Sequence, residues 1–185
     1  ETAALFKAQA LLRKDGEDAA RAFLATYLQA NPRAREVRLA YAKQLAREGR
    51  YGESRSEFER LALDAPSDPE AHFTLGLIAM QTNDLASARV ALLKALALEH
   101  PDADSVRYYL GQLEEAEKRY ESAIEWYRQV GDGRRPSDAQ LRVATMLSRL
   151  GRVPEARAWL AGLAPGDDAK RVQVAAVSNG TLRAG

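Results

Sequence analysis

No cysteine occurs among the 185 residues, and histidine appears only as His72 and His100. The missing thiols exclude disulfides, thiolate metal sites and cysteine nucleophiles together, while leaving the redox compartment open. Two isolated histidines supply no ligand set for a metal, so neither a metal nor a cofactor is expected. Charge of one sign is lacking as well: 27 Lys and Arg stand against 26 Asp and Glu, a formal net charge of +1. With the signs interspersed there is no block to attract polyphosphate or an anionic surface, and nucleic acid is not an expected partner. No apolar run is long enough to cross a bilayer and no basic-then-apolar leader opens the chain. No direct membrane insertion by this segment is expected.

Catalytic groupings are also scarce. An active site needs a nucleophile, a tuned acid and base, or a held metal, and no such set is apparent, so the chain is not expected to be an enzyme. Glu114 and Glu115 are adjacent on a helix and point in different directions, which rules out a paired acid and base; both are expected at the surface. Gly131-Asp132-Gly133 follows no strand and precedes no Lys-Ser or Lys-Thr, so it reads as a turn rather than a phosphate loop. The arginines Arg33, Arg35 and Arg38, and Arg134 and Arg135, are expected to be solvated surface. His72 is placed between helices and His100 in a boundary loop.

What the chain does have is a period. Small residues recur at Ala8, Ala42, Gly76, Gly111 and Ala144, stepping by 34, 34, 35 and 33. A second row, Ala20, Ser54, Ala88, Ala123 and Ala156, steps identically, and a third row of large apolar residues follows it at Leu24, Phe58, Leu92, Tyr127 and Leu160. Within a period the apolar residues fall at helical spacing, as in Leu75, Ile78 and Ala79, then Ala88, Ala91, Leu92 and Ala95. Each unit is therefore predicted to be two amphipathic helices. Asp68 is placed to cap a helix opened by Pro69, and Pro154 to start another. Gly49 and Gly151 fit the left-handed residue just past a helix end. Pro32, Pro66, Pro101 and Pro136 fall at or near unit boundaries.

With Leu75-Gly76, Ala88, Leu92, Ala95 and Pro101 in one unit and Leu110-Gly111, Tyr120, Ala123 and Tyr127 in the next, the chain resembles the tetratricopeptide repeat (TPR) family. The second unit carries Ala42, Tyr51, Phe58 and Pro66. The first departs, with Lys7 where leucine is expected and Tyr27 where alanine is expected. The resemblance implies an all-α, right-handed superhelix, a TPR solenoid of five helix-turn-helix repeats plus the start of a sixth. The repeats are assigned to residues 1–34, 35–68, 69–103, 104–136 and 137–170, with a partial first helix at 171–185. A start at the first position of a repeat, without methionine, and a stop inside a sixth unit lead us to expect a piece of a longer array. The small rows should be helix contacts, so Gly76→Leu is expected to cost about 1 to 3 kcal/mol by overpacking.

In this family the first helices line a concave groove. Transferred by register, the groove residues are Leu39, Lys43, Ala46 and Arg47, then Phe73, Leu77, Met80 and Gln81, then Tyr108, Gln112 and Glu115, then Leu141, Thr145 and Arg149. An apolar floor of Phe73, Leu77, Met80 and Tyr108 with polar rims suits an amphipathic helix or extended peptide of a protein partner. The alternative is that some of these side chains pack against the adjacent first helix. Chaperone-tail adaptors of the family clamp a terminal carboxylate with Lys, Asn and Arg; here Leu39, Phe73 and Tyr108 occupy that groove, so this activity is not expected.

The runs RLAYAKQLAREGRYGES, VRYYLGQLEEAEKRYESAIEWYRQVGDG and LGRVPEARAWL resemble the long repeat lipoproteins of Gram-negative bacteria that serve as adaptors for a periplasmic carboxyl-terminal processing protease. That resemblance implies a scaffold at the periplasmic face of the outer membrane, anchored by a segment outside these residues, with a protease as one partner. Two alternatives stand beside it: a cytoplasmic interaction module of a regulator or assembly factor, and an accessory domain of a larger enzyme such as a glycosyltransferase.

Overall fold

The computed structural model describes residues 1–131 and 136–163. The expected sixth-repeat helix at 171–185, the turn residues Asp132 and Gly133, and Arg134 and Arg135 lie outside them. Ten helices and no strand make up the described residues: α1 (Thr2–Lys14), α2 (Glu17–Ala30), α3 (Arg35–Arg47), α4 (Tyr51–Asp64), α5 (Pro69–Gln81), α6 (Leu85–Ala97), α7 (Ala103–Ala116), α8 (Tyr120–Arg128), α9 (Pro136–Arg149) and α10 (Val153–Ala161). They fall into two compact units, Glu1–Leu98 with α1 to α6 and a second beginning at Glu99 with α7 to α10.

Local chemistry sets the joints. Asp68 accepts from the Glu70 N–H at 3.1 Å in front of Pro69, whose missing N–H would have no intrahelical partner at that position. Asp84 and Asp102 cap α6 and α7 in the same way, accepting from Ser87 N–H and Ser105 N–H at 3.1 Å each. Gly49 and Gly151 take φ of 74° and 75° in the turns after α3 and α9, the left-handed conformation that ends a helix at little steric cost when no Cβ is present. Asn83 and Lys118 hold φ of 57° and 61° in the matching turns after α5 and α7, so the same turn is reached there without glycine.

In the first unit all three rows are buried. Ala8, Ala42 and Gly76 lie opposite Leu24, Phe58 and Leu92, with Ala20, Ser54 and Ala88 between them. The structure gives the small row a sharper cause than backbone approach alone: a Cβ built on Gly76 would stand 2.7 Å from Leu92 Cγ. Glycine there makes the pocket that receives the large residue of its own repeat. Ser54, the polar member of the second row, donates to the Ala42 carbonyl at 2.9 Å, which satisfies a hydroxyl that burial would otherwise penalise. Lys7, at the position where leucine is expected, sets its ammonium 4.7 Å from the centre of the Phe23 ring. The substitution thus retains an attractive contact with the second helix.

Two ion pairs tie consecutive repeats in this unit. Arg21 on α2 reaches Glu48, just past α3, at 2.5 Å, and Arg55 on α4 reaches Asp84, just past α5, at 3.0 Å. Arg38 differs from expectation. It is only 7% exposed, pairs with Glu57 at 2.5 Å and donates to the Pro32 carbonyl at 2.6 Å. A guanidinium carries several donors on a long stem, so it can leave solvent wherever a carboxylate and a carbonyl meet it.

The second unit repeats the plan with different fillers. Gly111 receives Tyr127, whose ring carbons would lie 2.5 to 2.9 Å from an added Cβ. Tyr127, Ala123, Ile124, Val143, Ala144, Met146, Leu147 and Ala156 form one buried cluster, against which Leu160 and Trp159 pack partly exposed. The expectation that Glu114 and Glu115 are surface groups is overturned. Glu114 is 4% exposed and paired with Arg119 at 2.5 Å. Glu115 is partly buried in the network described below. Their side chains do diverge, as adjacent helical positions require.

Candidate protein-interaction faces

The groove residues assigned by register divide between the units. In the first, Lys43, Arg47 and Gln81 are exposed while Leu39, Ala46, Phe73, Leu77 and Met80 are partly buried. Leu39 packs against the cluster of Ala42, Phe58, Leu61 and Ile78. Phe73, Leu77 and Met80 fall on one stripe of α5, away from the stripe of Ala71, Ile78 and Ala79 that is buried. Three large apolar side chains thus stand together, each partly buried, on one stripe of α5.

In the second unit the outcome differs. Tyr108, assigned to the groove floor, is 4% exposed and belongs to the core cluster, its ring centre 5.7 Å from that of Tyr127. Gln112 and Glu115, assigned to the rim, are drawn into polar contacts with it. Gln112 Nε2 donates to Tyr108 Oη at 3.4 Å, and Arg142 Nε donates to the same oxygen at 3.3 Å. Glu115 accepts from Arg142 Nη1 at 2.6 Å and from Tyr127 Oη at 3.0 Å, with Arg149 Nη1 at 3.4 Å from its other oxygen. Leu141 and Thr145 are partly buried, and the Thr145 hydroxyl is spent on the Leu141 carbonyl at 2.9 Å.

Electrostatics follow from this wiring. Burial, then the Glu115 charge, push the Tyr127 phenol well above its ordinary value, so it stays a neutral donor. Burial alone would lower the Arg142 guanidinium, but its bonds to Tyr108 and Glu115 outweigh that and its pKa is raised. The face offers shape, apolar area and the two partly exposed guanidinium groups of Arg142 and Arg149.

Arg142 and Tyr127 were absent from the register-based assignment. One signal pointed to Arg142. It directly follows Leu141, the residue that the 33-residue step from the fourth to the fifth repeat makes equivalent to Tyr108, so an arginine stands beside the matching site on the next first helix.

Helix pairs recurring at this period define a helical-repeat scaffold. The tetratricopeptide repeat profile matches residues 7–69, 39–98 and 73–136, and the chain belongs to that family. It is accordingly an all-α repeat protein of the protein-binding kind. A crystal structure of MamA protein is similar at 20% identity and a TM-score of 0.76, covering 86% of this chain and 87% of that one. A MamA fragment from Desulfovibrio magneticus RS-1 is similar at 16% identity and a TM-score of 0.74, covering 97% and 95%. At these identities the likeness concerns the fold. No curated sequence matches significantly. Among the described residues no helix is long and apolar enough to cross a membrane.

Proposed function

We propose that the chain is a non-catalytic scaffold that takes a helical or extended segment of a partner protein on its first helices. The observation that carries this reading is the stripe of Phe73, Leu77 and Met80 on α5, partly buried beside exposed Lys43, Arg47 and Gln81 of the same unit. Large apolar groups rimmed by polar ones are the composition of a binding hot spot. Tyr108 is not proposed as a contact residue, because it is buried in the core of the second unit. The test is cross-linking and affinity capture from the source cells with the wild type and a Leu77→Ser, Met80→Ser variant, its fold checked by circular dichroism. Loss of the captured partner supports the face, and capture of the same partners by both forms removes it.

A finer reading, an envelope adaptor joining a periplasmic protease to its substrates, is carried by the resemblance of the three sequence runs given above. Pull-down of a carboxyl-terminal processing protease from envelope extracts, and its failure in cytoplasmic extracts, is the result this reading requires.

A further inference from the structure

The first unit carries a second concavity, on the opposite side of α5 from the Phe73 stripe. A cleft of about 490 Å³ opens between α4 and α6, with Leu75 and Ala79 of α5 beneath it and Ala86, Val90 and Ala91 of α6 along its wall. At 100° per residue, Leu75 and Ala79 point roughly opposite to Phe73, Leu77 and Met80, so the two faces are separate. Val90 is 70% exposed although it is a large β-branched residue in mid-helix, and Leu93 and Leu63 are exposed on the same two outer helices. The volume is within the roughly 300 to 1,000 Å³ of ordinary binding pockets.

The two ends of the cleft differ in charge. At the end formed by the first turn of α6, Glu59 and Asp84 share the single guanidinium of Arg55, at 2.9 and 3.0 Å, which leaves one negative charge in surplus. At the other end, in the last turn of α6, Lys94 is exposed and no acid among the described residues pairs with it. His72 beside it donates Nε2–H to the Pro66 carbonyl at 3.1 Å. Ser87 and Lys94 lie two turns apart, about 10 Å along the helix.

We infer that this cleft is a docking site for an amphipathic helix of a partner protein, with leucine-like residues at i and i+4, a basic residue in its first turn and an acidic residue in its last. The apolar pair fills the space over Leu75, Ala79 and Val90. The basic residue and the positive N-terminal end of the helix dipole meet Glu59 and Asp84, and the acidic residue and negative C-terminal end meet Lys94. Charge complementarity thus fixes direction: the guest runs parallel to α6. The opposite direction would set like charges together at both ends.

The probe is a fluorescein-labelled stapled helical peptide with Lys in its first turn, Leu at i and i+4, and Glu in its last turn, titrated with the full chain. A second peptide exchanges the Lys and Glu. Saturable binding of the first is expected, with at least about a tenfold loss on Val90→Asp, because an apolar contact becomes a buried charge. Lys94→Glu should weaken the first peptide by about fivefold and recover a variant peptide whose Glu is replaced by Lys. The Leu77→Ser, Met80→Ser variant should bind as wild type does, which separates this site from the first-helix face. Equal affinity for the charge-exchanged peptide, or indifference to Val90→Asp, overturns the proposal. So does self-association in sedimentation velocity that Val90→Asp abolishes, since the occupant would then be a second copy of the chain.

Discussion

The two units solve one packing problem with different side chains, and the comparison shows what a filler residue adds beyond volume. In the first, the glycine of the third repeat receives Leu92, an aliphatic filler with no polar atom in its side chain. In the second, the equivalent glycine receives Tyr127, whose hydroxyl reaches Glu115 and through it Arg142 and Tyr108. A buried phenol brings a donor that must be satisfied, and satisfying it recruits α7, α8 and α9 into one polar network. The first unit keeps its apolar surplus outside, at Phe6, Leu63, Val90 and Leu93, while Val153 alone among the described residues of the second is a large exposed hydrophobe.

The most direct way to break the comparison is to empty both pockets. Tyr127→Ala is expected to cost about 3 to 5 kcal/mol and Leu92→Ala about 2 to 5 kcal/mol in urea unfolding. Both tryptophans, Trp126 and Trp159, lie in the second unit, so tryptophan fluorescence follows that unit while circular dichroism follows the whole chain. If Leu92→Ala shifts the fluorescence transition as far as the dichroism transition, the units unfold as one and the contrast between them has no energetic meaning.

Removing polar atoms alone tests the network. Tyr127→Phe and Glu115→Gln are each expected to cost about 1 to 3 kcal/mol, because the first leaves the partly buried Glu115 carboxylate without the phenol that donates to it and the second leaves the Arg142 guanidinium without its counter-charge. The double variant should cost clearly less than their sum, whereas strict additivity in the cycle would mean that the groups act separately.

The glycines sharpen it further. Gly111→Ala sets an overpacking cost of about 1 to 3 kcal/mol against a helix-propensity gain of about 1 kcal/mol. The rigid Tyr127 ring leaves a net loss of up to about 2 kcal/mol. Gly76→Ala should lose less, since the Leu92 side chain can rotate aside; a larger loss at Gly76 than at Gly111 in thermal melts would reverse the ranking.

The smallest effects are in pH. Tyr127 titrates above the ordinary 10.0 because of burial and Glu115, so the folded state holds its proton more tightly than the unfolded chain does. Its stabilisation is complete below pH 10.0 and lost as pH rises beyond it, and Tyr127→Phe should flatten that alkaline decline. In the first unit Asp84 is held below the ordinary 3.8 by the Ser87 hydroxyl and amide and by Arg55. That contribution is present above pH 3.8 and lost as pH falls through the lower folded value, so the gap in melting temperature between wild type and Asp84→Asn should close in acid.

The periodicity made the helices, their joints and the buried rows legible, because a residue type that recurs every 33 to 35 positions reports a packing constraint directly. It made direction on a helix legible too: Phe73, Leu77 and Met80 do share a stripe. Depth was not legible. Whether Tyr108 is floor or core depends on whether a tyrosine and an arginine from other helices arrive to cover it, and helical phase says nothing about that. Arg38 and Glu114 misled for the same reason, since charge predicts solvation only until a partner of opposite sign lies within reach. The pairs Arg21 with Glu48 and Arg55 with Asp84 were within range of inspection: an arginine directly follows the second small row at Arg21, Arg55, Arg89 and Arg157.

Those forward-reaching arginines have a modular consequence. Each grips the turn between the two helices of the following repeat, Arg21 at its near edge and Arg55 at its far edge. A grip on an interchangeable part tolerates exchange of the part. Excision of residues 35–68 as a block would bring the turn that carries Asp84 to the place where Arg21 now meets Glu48, a carboxylate for a carboxylate. The chain is therefore expected to rejoin its neighbours in kind when it is shortened by a whole period, while loss of a few residues between one arginine and its turn would put that one grip out of step.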